Sequence, residues 1–535
     1  MNTPSIFNDV IGPVMRGPSS SHCAAALRIG RICRDLMDEE IRTVLIEFDL
    51  NGSLATTHKG QGSDMGLFGG FLGWEAHDER LPNYEEAIAE SGMDIHIKKH
   101  EFGAEHPNTY KMTFTNEVED HTITAISIGG GMIEVIEIDG SPLSMCGDYF
   151  ETLIYASDMD EVSSFIESSI PYEECVSHKG SRSFIQLKTS SPLENTIVEE
   201  LGHINCVSSI KQIAPVLPVL SRKSLEVPFL TCDEMMSFNK NKKLTLWELA
   251  LKYESVRGNM PEEEVLNKMA KLVNILKESI EGGLKGTEYE DRILGSQSLT
   301  FKEKMDKERL PGGDLLNHII LYVSAMMEVK SSMGVIIAAP TAGACGALPG
   351  AVLGAAKVLG LDDLETTKAM LSAGLIGVFI AANATFAAEV GGCQAECGSG
   401  SCMAAAALVQ MSGGSLDQSI SAASQALQNS LGMICDPIAN RVEAPCLGKN
   451  VMAASNALSC ANMALSNYDH LIPLDQVIDA MARVSEQMAH ELRCTALGGL
   501  STTKASQEIL AQLEGGSLGE GQEMLAESAA KFKIC

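Results

Sequence analysis

The alternation of hydrophobic and polar positions divides the chain into an N-terminal part rich in strands and a C-terminal part rich in helices. Between Ser5 and Gly147, period-two runs such as TVLIEFDL, TYKMTFTN and HTITAISI alternate with helical stretches such as CAAALRIGRICRDLMD. Period-two alternation is typical of strands with one buried face. We therefore predict an N-terminal α+β domain over residues 1–147.

The segment 148–214 has its own order of elements. Its runs TLIYA, DEVSSFIESS, YEECVSH, SFIQLKTS, ENTIVEELGHI and VSSIKQI predict strand, helix, strand, strand, helix and strand. That order is the ferredoxin-like βαββαβ arrangement, and it resembles a small-molecule-sensing ACT module. Such modules usually carry an Asp-x-x-Gly turn after the first strand, whereas ASDMDEVSS has no glycine. We therefore favour a structural or dimerisation role over an effector site.

The rest of the chain has the spacing of helices. Residues 215–243 are punctuated by proline and then basic, which indicates a linker. Residues 244–504 predict an all-α domain, and residues 505–535 a C-terminal tail with a Gly-rich break and then a short helix. The stretch Ala369–Ala388 carries no charge over twenty residues. Because it contains an asparagine and many small residues, we predict a buried helix here and not a membrane span.

Composition and charge narrow the possible partners. The 535 residues carry a formal net charge of −30, which argues against nucleic acid and anionic membranes because both are bound through basic patches. The first residues show no basic region followed by an apolar run, so we expect no signal peptide. Fifteen cysteines in such a protein indicate a reducing compartment. We expect a cytoplasmic protein with a small-molecule substrate.

Three cysteines stand in strings that favour turns. Cys393, Cys435 and Cys446 lie in EVGGCQAE, MICDP and APCLGKN, each within two residues of a glycine or proline, so their thiolates could be presented from loop edges. Cys397 and Cys402 follow Cys393 in a C-x3-C-x4-C spacing that could also indicate ligands. The cysteines with no motif around them are predicted to be packing residues: Cys33, Cys175, Cys206, Cys232, Cys460 and Cys494.

A second string, GPSSSH at residues 17–22, is suited to an anion. Ser19, Ser20 and Ser21 present hydroxyl groups and backbone N–H groups in a turn ahead of a predicted helix. A substrate carboxylate is a fitting ligand, and His22 could act as a base or bind the substrate. The alternative is a serine N-cap beside an incidental histidine.

Taken together, these strings resemble the iron–sulfur-dependent L-serine dehydratases (L-serine ammonia-lyases) in their single-chain form, with fused beta, ACT-like and alpha domains. The resemblance covers nearly the whole chain. It includes HPNT at residues 106–109, SIGGG at residues 127–131 and APTAGACG at residues 339–346. It implies a homodimeric lyase that converts L-serine to pyruvate and ammonia. No string resembles the lysine-centred motif of the dehydratases that use pyridoxal phosphate.

The resemblance also implies a cofactor and a set of site residues. Cys393, Cys435 and Cys446 are expected to hold a [4Fe–4S] cluster, and because four thiolates are the usual number, one iron would stay open as a Lewis acid for the substrate. A base would remove the α-proton. The candidates for proton transfer, which we leave unranked, are His22, His58 and His106. The candidates for substrate contact besides the three serines are Asn108, Thr109, Thr341 and Gly343.

Three residues depart from the family pattern. Gln61 stands where the family has a histidine, Cys23 where it has a threonine, and Ala387 where it has a serine. Glutamine cannot take a proton at neutral pH. Two alternatives therefore stay open: a related lyase acting on another β-substituted acid, such as L-cysteine or L-threonine, and a non-catalytic iron–sulfur sensor.

The last residue, Cys535, suggests a further hypothesis. It follows the break GGSLGEG, which could let the tail fold back toward the cluster. A terminal cysteine offers both a thiolate and an α-carboxylate, so Cys535 could occupy the open iron until substrate displaces it. The alternative is a frayed terminus with an irrelevant thiol.

Overall fold

A six-stranded sheet, a four-stranded sheet and a large helical region follow one another along the chain. The computed structural model describes residues 3–17, 19–289, 292–307 and 310–513. The strands are β1 (Val14–Arg16), β2 (Thr43–Asp49), β3 (Asp94–His100), β4 (Thr109–Thr115), β5 (Asp120–Gly129), β6 (Met132–Ile138), β7 (Ser141–Met145), β8 (Phe150–Ala156), β9 (Glu174–His178), β10 (Phe184–Thr189), β11 (Val207–Ile213) and β12 (Val335–Ile337).

The α-helices number nineteen in the described residues. They are α1 (Ala25–Leu36), α2 (Leu54–Thr57), α3 (Ser63–Phe71), α4 (Tyr84–Ser91), α5 (Met159–Ser169), α6 (Asn195–Gly202), α7 (Cys232–Asn239), α8 (Leu246–Gly258), α9 (Glu262–Gly283), α10 (Ser298–Asp306), α11 (Gly313–Ser331), α12 (Ala347–Leu359), α13 (Asp363–Asn383), α14 (Ala388–Cys393), α15 (Ser399–Met411), α16 (Leu416–Gln428), α17 (Cys446–Leu465), α18 (Leu474–Gln487) and α19 (Lys504–Leu513).

The six-stranded sheet has the order β3-β2-β4-β5-β6-β7. Only the β2–β3 pair in it is parallel. In β2, the alternation expected of a strand with one buried face is present, with Val44, Ile46 and Phe48 fully buried. Helices α1 and α3 pack against each other beside this sheet. The predicted α+β character of this region is therefore confirmed.

The second sheet has the order β11-β8-β10-β9, with all three pairs antiparallel. Together with α5 and α6 it has the predicted succession of strand, helix, strand, strand, helix and strand. A separate small core, which includes Ile154, Val162 and Leu187, joins the sheet to its helices.

Helix α13 lies at the centre of the helical region. It is the one helix of the described residues long and apolar enough to cross a membrane, and 78% of its most apolar window is buried inside the protein. Helices α8, α9 and α15 pack around it. The prediction of a buried core helix is confirmed over most of Ala369–Ala388, although α13 ends at Asn383.

The first residues of the chain belong to the core of the helical region. Ile6, Val10 and Ile11 are fully buried in that core, and β1 pairs antiparallel with β12. On α8, the Glu254 carboxyl group accepts hydrogen bonds from Ser5 Oγ at 2.5 Å and from the Ile6 N–H at 2.8 Å. The chain therefore passes through the helical region before it enters the six-stranded sheet.

Candidate active site

One cavity of about 760 Å³ lies between the N-terminal and the helical parts of the chain. The serine string contributes Ser19, Ser20, Ser21 and His22 to its wall, and Thr57 and Gln61 lie beside them. From the helical region, the residues that line it include Thr341, Gly343, Ala387, Glu396, Cys435, Cys446 and Cys494. The two sets of residues predicted from the sequence thus meet in one space.

His22 is held in a defined orientation and tautomer. It lies in the π-helical turn Ser20–Ala24 that leads into α1, and only 6% of it is exposed. Thr57 Oγ1 donates its hydrogen to the Ser53 carbonyl at 2.7 Å, so in its 3.2 Å contact with His22 Nε2 it must accept. In the neutral ring Nδ1 is then unprotonated, and it accepts from Ser19 Oγ at 3.0 Å.

Burial also sets the charge of this ring. It lowers the pKa of His22 to about 4, because an imidazolium ion loses hydration in a buried site. At neutral pH, His22 is therefore an uncharged imidazole with no hydrogen on Nδ1.

The cysteines reach the site from three short segments. Cys393 ends α14, where the backbone of Gly392 has φ +68° and a Cβ atom would lie 2.9 Å from the Met433 carbonyl oxygen. Glycine is therefore required before Cys393. Cys435 is fixed in a loop by its N–H bond to the Leu492 carbonyl at 2.9 Å. Cys446 is the first residue of α17.

Cys393, Glu396 and Cys435 offer ligand atoms that lie within 4.8 Å of one another. Hydrogen bonds with the Cys397 and Cys435 thiols hold the pKa of Cys393 well below its usual range. Lys449 adds a positive charge, with Nζ 3.8 Å from Cys393 Sγ and 2.6 Å from Asp436 Oδ1. Cys393 itself does not line the cavity, but it lies next to Cys435 and Glu396, which do.

Two further cysteines near the site differ in position. Cys397 does not line the cavity; its sulfur accepts a hydrogen bond from Asn450 Nδ2 at 3.6 Å and packs against small residues. Cys494, which the sequence predicts to be a packing residue, lines the cavity, and its N–H donates to the Cys435 carbonyl at 3.1 Å. No local motif marks Cys494. Cys402 is fully buried in the helical core.

Glu396 is a site residue that the sequence does not single out. Thr341 Oγ1 donates to its Oε1 at 2.7 Å, and burial raises its pKa to about 8. A Cβ atom on Gly343 would lie 3.0 Å from both carboxylate oxygens, so the glycine lets this carboxyl group approach the backbone. The i, i+3 spacing from Cys393 is the only signal that could have indicated Glu396.

Several candidates lie elsewhere. His58 Nδ1 contacts both carboxylate oxygens of Asp64, at 2.8 and 2.9 Å, and His58 does not line the cavity. His106, Asn108 and Thr109 form a turn of their own. The Asn108 N–H donates to His106 Nδ1 and Thr109 Oγ1 donates to the His106 carbonyl, outside the cavity wall. Cys535 lies outside the described residues.

Comparison with known proteins identifies the family. A sequence model of the serine dehydratase alpha chain matches residues 241–501, and one of the serine dehydratase beta chain matches residues 10–137. The chain therefore belongs to the serine dehydratase family, with both parts fused in one chain.

Some relatives match one part of the chain, and others match about nine-tenths of it. The L-serine dehydratase alpha chain of Peptoniphilus asaccharolyticus is 37% identical over 52% of this chain and 96% of its own length. The probable L-serine dehydratase beta chain of Bacillus subtilis is 32% identical over 40% of this chain and 100% of its own length. The L-serine dehydratase of Streptomyces coelicolor is 27% identical over 91% of this chain and 96% of its own length.

Proposed function

We propose that this protein is an iron–sulfur-dependent lyase that converts L-serine to pyruvate and ammonia. The observation that carries the proposal is the single cavity in which the serine string faces the cysteine segments. Relatives that span nine-tenths of the chain and are named L-serine dehydratase support the same reaction.

The proposed ligands of a [4Fe–4S] cluster are Cys393, Cys435 and Cys446. Thiolate sulfur is the ligand type that such clusters take, and the lowered pKa of Cys393 together with the nearby Lys449 ammonium favours a thiolate there. Cys435 and Cys446 line the cavity directly. When bound, the cluster supplies a Lewis acid that makes hydroxide a better leaving group.

His22 is the proposed acceptor of the α-proton. Its ring is neutral at pH 7, its Nδ1 is unprotonated and accepts from Ser19 Oγ, and both His22 and Ser19 line the cavity. Loss of the α-proton and of the β-hydroxide leaves aminoacrylate, whose imine form hydrolyses to pyruvate and ammonia. His58 and His106 are less suited to this role because neither lines the cavity.

The test is pyruvate formation from L-serine by anaerobically purified, cluster-loaded protein. We expect turnover by the unchanged protein, and His22→Gln should lower kcat about 10²- to 10⁴-fold, the usual contribution of a general base, while the visible absorbance of the cluster stays the same. His58→Gln and His106→Gln serve as matched controls and should retain activity. A fully active His22→Gln protein would exclude His22 as the base.

A second candidate function is lyase activity on another β-substituted acid. Gln61 and Ala387, two of the departures from the family pattern, line the cavity, whereas Cys23 is buried and does not. The same assay with L-threonine and L-cysteine in place of L-serine distinguishes the two. A kcat/KM for either that exceeds the value for L-serine would favour this alternative.

We extend the proposal to the rest of the chain. The unit formed by residues 148–214 is proposed to be an ACT-like module that serves a homodimer, and the protein is proposed to act in the cytoplasm. The dimer is tested by size-exclusion chromatography with light scattering. The measurement compares the full chain with a variant of the full chain that carries an added charge on the surface of this unit.

A further inference from the structure

A lysine without a partner lies buried at the junction of the two parts of the chain. Lys330 is the second-last residue of α11 and is fully buried. Its Nζ has no hydrogen-bond partner among the described residues, and no ion pair to it is present there either. Burial of an unpaired ammonium group is strongly unfavourable, so such a group indicates an anion that binds to it.

The space beside Lys330 is connected to the candidate active site. A small cavity of about 30 Å³ is lined by Lys330 together with Ser19, Gln61 and Asn440, and these last three also line the large cavity. Since one water needs roughly 10–15 Å³, the space accommodates about two water-sized groups, which is the size of the two oxygens of a carboxylate.

The serine string packs directly on this lysine. A Cβ atom on Gly17, the first residue of the string, would lie 2.1 Å from the Lys330 carbonyl oxygen and 3.2 Å from its Cγ. Glycine at this position therefore lets the string approach the lysine closely. The donors of the string itself are hydroxyl and N–H groups, which carry no net charge.

The carboxyl groups near Lys330 already accept hydrogen bonds from other residues. Glu328 accepts the N–H groups of Gln297 and Ser298 at 2.7 and 2.9 Å. Glu443 accepts two further backbone N–H groups, both at 3.0 Å. The Glu396 carboxyl group accepts the hydroxyl hydrogen of Thr341 at 2.7 Å. Among the described residues, none of these three carboxyl groups forms a hydrogen bond with the Lys330 ammonium group.

We propose that the Lys330 ammonium group binds the carboxylate of the substrate, next to the serine string. The string positions the carboxylate through neutral donors, and Lys330 supplies the opposite charge. This inference rests on the proposed function and adds to it the residue that selects an acid over an uncharged analogue. Lys330 is here a substrate-binding residue and takes no part in proton transfer.

The experiment compares a ligand with and without the carboxylate. For cluster-loaded Lys330→Met, we expect KM for L-serine to rise about 10- to 100-fold, as for loss of a charge-assisted hydrogen bond. The inhibition constant of L-serinamide, which keeps the hydroxyl and amino groups, should change less than about threefold by the same reasoning. Lys357→Met, at an exposed position of α12, is the control and should match the unchanged protein.

Folding and cluster content are measured on the same samples. The melting temperature of Lys330→Met should not fall, because the substitution removes an unpaired buried charge. Lys330→Gln provides a second variant that keeps a hydrogen-bond donor without the charge. An unchanged KM for L-serine, or an equal loss for L-serine and L-serinamide, would overturn the proposal. So would loss of cluster absorbance at an unchanged melting temperature, because Lys330 would then balance the charge of the cluster.

A failure of the proposed function gives a different result. If the unchanged protein does not turn over L-serine, the proposed reaction is wrong, and binding is then followed by the rise in melting temperature with L-serine and with pyruvate. A rise in the unchanged protein that is absent in Lys330→Met still supports a carboxylate site at Lys330. An equal rise in both proteins contradicts it.

Discussion

Replacement of Thr57 by valine tests how the proposed base is held. Thr57 Oγ1 is the acceptor for His22 Nε2–H because its own hydrogen goes to the Ser53 carbonyl. Valine has nearly the same shape but no acceptor, so the Nε2–H would be buried without a partner. The ring then favours the other tautomer, in which Nδ1 carries the hydrogen and donates it to Ser19 Oγ. In that form His22 cannot accept the α-proton through Nδ1.

The size of the effect follows from the cost of the unpaired group. A buried donor left without a partner costs about 1–3 kcal/mol, which corresponds to a shift of roughly 5- to 150-fold in the tautomer equilibrium. We expect kcat of Thr57→Val to fall by up to that factor, while cluster absorbance and KM stay close to those of the unchanged protein.

Thr57→Ser is the matched control because serine restores the acceptor. Initial rates of pyruvate formation under anaerobic conditions, measured on both variants at equal cluster content, provide the comparison. Equal kcat values for Thr57→Val and Thr57→Ser would refute the assignment of Nδ1 as the proton acceptor.

Two other predictions concern the cofactor and the N-terminal anchor. Cys446→Ser should lose both the broad visible absorbance of the cluster and turnover. Cys206→Ser, in the second sheet region, is the control and should keep both. A Cys446→Ser protein with full absorbance would show that Cys446 is not a cluster ligand. Burial raises the pKa of Glu254 from 4.5 to about 7. The protonated carboxyl group therefore makes its full contribution to the free energy of unfolding below pH 4.5, and this contribution is lost as the pH rises through 7. The loss amounts to about 3 kcal/mol. Glu254→Gln should remove this pH dependence from the free energy of unfolding measured in urea, and the exposed Glu263→Gln should retain it.

The sequence predicts those parts of the fold that depend on local patterns. The alternation in β2 and β5, the uncharged run within α13 and the element order of the second sheet all concern neighbours along the chain. Pairing of β1 with β12 is different, because three residues are too few for a periodic signal and their partner lies far along the chain. The burial of the first residues in the helical core could not be predicted for the same reason.

In the candidate site, too, residues within a recognisable string can be predicted from the sequence, and isolated residues cannot. The serine string, Thr341, Gly343, Cys435 and Cys446 were predicted from strings of several residues, and all of them line the cavity. Lys330 is a single residue on a helix with no motif around it, and Glu396 has only its i, i+3 spacing from Cys393 to indicate it. His106 could be named from its string, but it accepts a hydrogen bond within the turn before β4 and does not line the cavity.

The pairing of β1 with β12 has a consequence for attempts to divide this protein. Residues 215–243 look like a suitable place to cut, yet the fragment before the cut would carry the apolar segment Ile6–Val10 without the core that covers it. The fragment after the cut would carry β12 with an open edge and the Glu254 carboxyl group without its donors. Exposed strand edges and uncovered apolar surface promote aggregation. The two fragments are therefore suited to co-expression, in which each completes the other, and not to separate production.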